Sequence, residues 1–227
     1  MTMYENLLRL PYLQGMSQKE LTAILDKVKL NFTRYNNGEK ILNQNEDCEN
    51  FTIIIQGKMM AEHKATDNSY KLSEEIEAPF AIEPYSLFGS EHKYYKSYIA
   101  INECSLLTIS KSYFYSDFLK HSIFTMNLLN LISRKVQLQN SLAWMDTPTE
   151  IENKIAYFIA TRSETLTGKK SLKIKMTQLA QQLDVTRINV SRALNNLEKE
   201  GIISLSRGEI LIPKFESLFK NQAIRKP

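Results

Sequence analysis

The hydrophobic period changes along this chain, and that change limits the folds open to it. From Phe32 to Ile109, β-branched and aromatic residues come in short runs between turn signals at Asn36-Asn37-Gly38, Asn45-Glu46-Asp47 and Gln56-Gly57-Lys58. Asn and Gly enter left-handed backbone conformations at little cost, so these triplets are expected to be hairpin corners. Further strands are expected at 70–77, 80–83 and 97–109. Short strands joined by regular turns predict a small antiparallel barrel or roll. Before this region, residues 4–30 read as helix, broken by Pro11 and Gly15, with Ser17 and Glu20 forming a capping box.

From 111 to 145 the period is helical again. Leu129, Ile132, Val136, Gln139 and Ala143 form a 3-4-3-4 seam, and Leu128, Leu131, Leu138 and Leu142 lie beside it. A helix apolar on two sides must bury both. One side can cover the roll, and a seam with an identical subunit is the economical use of the other. The alternative is burial wholly within one chain. The segment "MDTPTE" then marks a hinge, with Thr147 as cap, Pro148 at the first helical position and Glu150 reaching back. Pro148 disfavours helix at Thr147, so the long helix should stop near Met145.

The next stretch, "TQLAQQLDVTRINVSRALNNLEKEGII", holds two short helical patterns split at Leu183-Asp184-Val185. In the second, Val190, Leu194 and Leu197 with Ala193 make an inward stripe. Arg187, Ile188, Ser191, Arg192, Asn195 and Lys199 fall outside it, and Thr186 stands at the N-cap position. The break lets two helices cross steeply over one core and leaves the second with a polar face that starts at its N-terminus. Such a helix fits the major groove of B-DNA. There Arg can bond guanine, Asn can bond adenine, and an apolar side chain can touch the thymine methyl. The candidate DNA-binding residues are Thr186, Arg187, Ile188, Asn189, Ser191, Arg192 and Asn195. Asn189 is expected to lean towards the core. After Gly201, Ile202-Ile203 and Ile210-Leu211-Ile212 read as strands around the turn Ser206-Arg207-Gly208. That hairpin makes the unit a winged helix-turn-helix, with Arg207 placed for phosphate.

Charge follows the same division. Residues 1–145 carry 15 Lys and Arg against 16 Asp and Glu, whereas residues 146–227 carry 14 against 9. A basic C-terminal third on a neutral remainder suggests that one end meets a polyanion. Cys48 and Cys104 stand 56 positions apart in no metal-binding spacing. With no long apolar run and no signal-peptide pattern at the N-terminus, they point to free thiols in a reducing cytoplasm. A cupin-type enzyme would need clustered His and carboxylate ligands, and His63 and His92 are separated, so no catalytic residue or metal site is expected. A non-DNA signalling module is the other alternative, opposed by the basic tail.

The order of parts resembles the CRP/FNR superfamily of bacterial transcription regulators. "YNNGEKILNQNEDCENFTIIIQGKM" is similar to the family's roll signature, and "LAQQLDVTRINVSRALNNLEKEGIISLSRGEILI" to its recognition unit. The resemblance implies an α+β chain: an effector-type, cyclic-nucleotide-binding-like β-roll with N-terminal helices (1–112), a dimerisation helix (113–145) and a winged helix-turn-helix (146–227). It also implies a homodimer on a pseudo-palindromic double-stranded operator, with RNA polymerase as a further partner. Two departures stand out. Ile188 takes the place of a common Glu, and Asp184 takes that of the turn glycine. The effector segment "FGSEHKYYKSYIA" has no arginine for a phosphate, which weighs against cyclic AMP. Two cysteines are too few for an iron–sulfur cluster, and His63, His92 and His121 read as surface or core residues rather than haem ligands, so no cofactor is identified. By resemblance, an effector pocket would draw on Gly89, Ser90, Glu91, Lys93, Lys96 and Tyr98 together with Gln139 and Asn140 of the long helix.

Overall fold

Turn residues place the strands where their chemistry requires. In the computed structural model, which describes residues 3–27, 29–146 and 148–219, Asn45 has φ 68°, Gly38 φ 84° and Gly57 φ 98°. Helices α1 (Met3–Leu8) and α2 (Gln18–Leu25) precede strands β1 (Asn31–Tyr35), β2 (Lys40–Leu42), β3 (Asn50–Gln56), β4 (Lys58–Lys64), β5 (Tyr70–Glu77), β6 (Phe80–Ile82), β7 (Ser97–Ala100) and β8 (Cys104–Ser110). Helices α3 (Lys111–Ser116), α4 (Ser122–Ala143) and α5 (Ile151–Ala160) follow, then β9 (Lys170–Ile174), α6 (Met176–Gln182), α7 (Arg187–Lys199), β10 (Ser204–Ser206) and β11 (Glu209–Ile212).

The chain divides into two compact units, one of residues 1–61 with 76–136, the other of 62–75 with 137–227. This division differs from the sequence boundaries in two respects. It cuts within α4 rather than at either end, and it assigns residues 62–75, the outer part of the β4–β5 hairpin, to the second unit.

In the first unit β1-β8-β3-β6 form one antiparallel sheet, and β2 pairs with β7. The strand expected over 97–109 is two, β7 and β8. Lys58 N–H donates to Asn102 Oδ1 at 2.7 Å, holding the residues between them in a turn. Phe51, Phe114, Phe118 and Phe124 pack with ring centroids 4.5–6.4 Å apart and anchor the core. Ser17 caps α2 in the expected box: its Oγ accepts from Glu20 N–H at 3.2 Å, and its own N–H donates to Glu20 Oε2 at 2.8 Å.

In the second unit the sheet order is β10-β11-β9-β5, with all neighbours antiparallel. Its core joins Leu72 and Leu142 to Ile155, Phe158, Leu172, Leu179, Val190, Leu194, Ile210 and Phe215. The expected helix start at Pro148 is not seen. Helix α5 begins at Ile151 with Glu150 as N-cap and no side-chain cap, while Thr147 lies outside the described residues.

Helix α4 serves both units with different residues. Phe124 and Leu128 are buried in the first. Leu142 is buried in the second, and its carbonyl accepts from the Tyr157 hydroxyl at 2.9 Å. Along the expected seam, Leu129 and Val136 are half exposed and Ala143 is exposed, whereas Ile132 and Gln139 are partly covered. Met126, at 56% exposure, extends the bare stripe by one position.

Candidate nucleic-acid interface

The reading helix is set by its N-terminal turn. Asp184 takes φ 52°, a left-handed conformation that Asp tolerates better than most residues. Val185 N–H then donates back to the Ala180 carbonyl at 3.0 Å. The free Leu183 carbonyl at the end of α6 accepts from Lys154 Nζ at 3.3 Å. Thr186 is extended (φ −75°, ψ 148°), and its hydroxyl accepts from Asn189 N–H at 3.3 Å, which caps α7.

Below the cap, Val190, Ala193, Leu194 and Leu197 are buried. Arg187, Ile188, Asn189, Arg192 and Asn195 are exposed, and Ser191 is partly so. Arg187, Ile188, Ser191, Arg192 and Asn195 line a single shallow depression. Ile188 is 68% exposed, an isolated large apolar side chain on a polar face. Asn189, expected to lean inward, is exposed. It lies 100° round the helix from Val190, and in the first turn no neighbouring element covers that flank.

The wing is tied to the same helix. Leu205 N–H donates to Glu198 Oε1 at 2.7 Å, joining β10 to the last turn of α7. Glu198, which in the sequence counts only as a charge opposing the basic residues, thus orients the wing. Gly208 has φ 76°, and its carbonyl accepts from Ile174 N–H at 3.0 Å, so Arg207 is exposed at a braced tip. Among the described residues, Arg187, Arg192 and Arg207 form no ion pair. They remain available for an anionic partner.

Residues 153–220 match the Crp-like helix-turn-helix domain. The match falls in the C-terminal unit and shows a Crp-like helix-turn-helix domain there. The DNA-binding unit is thus of the CRP/FNR type that the sequence motifs resemble. No curated protein sequence matches the chain. Among solved structures, the catabolite activator protein of Thermus thermophilus is 18% identical over 92% of this chain and 96% of that one, with a TM-score of 0.51. That likeness establishes the shared fold, an antiparallel roll followed by a helix-turn-helix. DNR from Pseudomonas aeruginosa is 17% identical over 94% and 95% (TM-score 0.46). FixK2 from Bradyrhizobium japonicum is 16% identical over 88% and 100% (TM-score 0.48).

The residues expected at an effector pocket differ in their surroundings. Gly89, Ser90, Glu91 and Lys93 are exposed. Lys96 and Tyr98 are buried in the first unit, while Gln139 and Asn140 belong to the part of α4 grouped with the second. The polar centre of the roll is a residue the sequence reading passed over. Glu83, fully buried at φ 37°, accepts from Tyr95 N–H at 2.7 Å, the Tyr98 hydroxyl at 2.9 Å and Ser86 Oγ at 3.2 Å. In "AIEPYS" a lone Glu before Pro reads as a loop residue, and only the αL turn and the two tyrosines around it reveal the burial. On Tyr85, Lys135 of α4 sits 3.7 Å from the ring centroid. Beside this cluster, burial pushes the Cys48 thiol and the Tyr94 hydroxyl up from their ordinary values.

Proposed function

We propose that the protein works as a homodimer, paired along α4, that reads a pseudo-palindromic operator by inserting α7 of each copy into the major groove. The single observation that carries this reading is the outward face of α7, where Arg187, Ile188, Ser191, Arg192 and Asn195 line one depression around a capped N-terminus. Arg187 and Arg192 suit guanine, Asn189 and Asn195 suit adenine, and Ile188 suits the thymine methyl. Arg207 positions the unit through phosphate. Twofold symmetry asks for half-sites about 34 Å apart. The bare stripe of Met126, Leu129, Val136 and Ala143 supports pairing along α4, because a second copy would cover it.

As a regulator of this kind it would act in the cytoplasm and contact RNA polymerase, and it would not be an enzyme. No described helix is long and apolar enough to cross a membrane. No group of three or more His, Cys, Asp or Glu that could hold a metal occurs among the described residues.

Fluorescence anisotropy on duplex DNA across a salt series tests the reading. A dimer that neutralises about six phosphates should show a slope of log affinity against log salt near −5. Affinity that does not change with salt would refute it.

A further inference from the structure

We propose that the β4–β5 hairpin is a clasp of the DNA-reading unit, and that Glu74 is the residue that positions the wing sheet through it. This rests on the reading of α7 and the wing given above. Residues 62–75 lie about a hundred positions before β9, yet five consecutive residues, Tyr70 to Glu74, pair with Ile174 to Lys170 in antiparallel register. The wing is therefore not a three-stranded sheet with an open edge. Strand β5 closes it on the side of β9 away from β11.

The join is fixed by a buried ion pair. Lys170 Nζ stands 2.6 Å from Glu74 Oε2, and the two side chains are 0% and 2% exposed. The Glu74 carboxylate also accepts from Glu164 N–H at 2.8 and 3.0 Å and from Thr165 N–H at 3.3 Å. It thus holds the loop between α5 and β9. Lys170 lies 5.0 Å from the centroid of the Phe215 ring, which follows β11 in the chain. One carboxylate from the hairpin therefore governs β9, the loop before it and the aromatic residue after the wing. A second join is Arg162, whose Nε donates to the Tyr70 hydroxyl at 3.1 Å and whose guanidinium stacks 3.9 Å from the Phe158 ring centroid. A buried charge whose partner is removed is costly, so this arrangement makes the order of the wing depend on the hairpin being in place. The hairpin runs at both ends directly into strands of the roll. Any event that draws it off β9 would loosen the wing, and the clasped state is the DNA-competent one.

Hydrogen exchange and DNA affinity of the full chain test the clasp. In Glu74→Gln the buried Lys170 ammonium loses the carboxylate that stands 2.6 Å from it, so amides of β9 and β11 should exchange about a hundredfold faster or more. Operator affinity should fall about tenfold, and adding Arg207→Ala should then cost little more, because the wing contact is already lost. The double variant Glu74→Gln with Lys170→Met removes the stranded charge and should restore protection of β9 and β11. A second route leaves the Glu74–Lys170 pair in place. Ser73 and Ser171 are cross-strand partners, and such partners stand about 4.5–5.5 Å apart at Cα, within disulfide reach. Ser73→Cys with Ser171→Cys, oxidised, should bind the operator at least as tightly as after reduction.

Faster exchange confined to residues 62–75, full additivity with Arg207→Ala, or loss of binding on oxidation would each overturn the clasp. If the wild-type chain bound no duplex while exchange coupled β5 to β11, the DNA reading would fail and the clasp would stand.

Discussion

Replacing Thr186 by Ala separates what builds the reading helix from what reads. Its hydroxyl accepts one hydrogen bond, from Asn189 N–H at 3.3 Å, and it is the only side-chain cap on α7. Loss of a Thr cap costs about 1 kcal/mol, with a range of roughly 0.5–2. The 3.3 Å length places this bond at the weak end of normal geometry, so a value near 1 kcal/mol or slightly below is expected. Opening of α7 should then become about fivefold more frequent. Native-state hydrogen exchange at Val190 to Leu197 reads this change directly, without requiring that two compact units unfold as one. Thr186→Ser keeps the acceptor and should exchange like the wild type. Arg187→Ala, on an exposed side chain, should leave exchange unchanged and lose DNA affinity instead. If Thr186→Ala left α7 protection unchanged, or if Thr186→Ser weakened it equally, the hydroxyl would not be the cap and the reasoning would fail.

Three other outcomes follow from the geometry. At Gly57 an added Cβ would overlap the Glu103 carbonyl oxygen and stand 2.9 Å from Cys104 Cα. With φ at 98° as well, Gly57→Ala should destabilise the roll by roughly 2–5 kcal/mol in urea unfolding, and a loss below about 1 kcal/mol would contradict this. Burial raises the Cys48 and Cys104 thiols above their ordinary 9.0. Neither should alkylate at pH 8 until the roll unfolds, and the stability tied to the thiol form should be complete below about pH 9 and decline as pH rises beyond it. Leu129→Glu places a charge at the bare stripe of both copies. It should weaken self-association by about 3–6 kcal/mol in sedimentation equilibrium, and an unchanged dimer would move the interface elsewhere.

Local chemistry was legible in the sequence because it is written in neighbouring residues. The turns at Asn45 and Gly57, the Ser17–Glu20 box, the Thr186 cap and the wing turn at Gly208 each depend on a few positions in a row. The inward stripe of α7 was legible for the same reason, since Val190, Ala193, Leu194 and Leu197 repeat at helical spacing. Asn189 was misjudged because angle alone does not say whether an element covers that flank. What stayed hidden is long-range. Nothing in "YKLSEE" says that it pairs with "KSLKI" a hundred residues later, because both are ordinary alternating strands. Glu74 and Lys170 look like two more surface charges until that register turns them inward against each other. Glu83 likewise reads as a loop acid, and the tyrosines that satisfy it are called in by tertiary packing. The effector residues expected by resemblance, Gly89, Ser90, Glu91, Lys93, Lys96, Tyr98, Gln139 and Asn140, take in Tyr98 but not Glu83, whose buried carboxylate accepts from the Tyr98 hydroxyl.

The most direct test of groove reading by α7 is selection from a random duplex pool with the wild-type chain, Arg187→Ala and Arg207→Ala in parallel. The wild type should enrich a pseudo-palindrome. Arg187→Ala should lose preference at one matching position in each half-site, worth about 1–3 kcal/mol per base contact, while Arg207→Ala should bind more weakly with the same motif. Recovery of the unaltered motif at unaltered affinity by Arg187→Ala would show that this helix does not read the DNA.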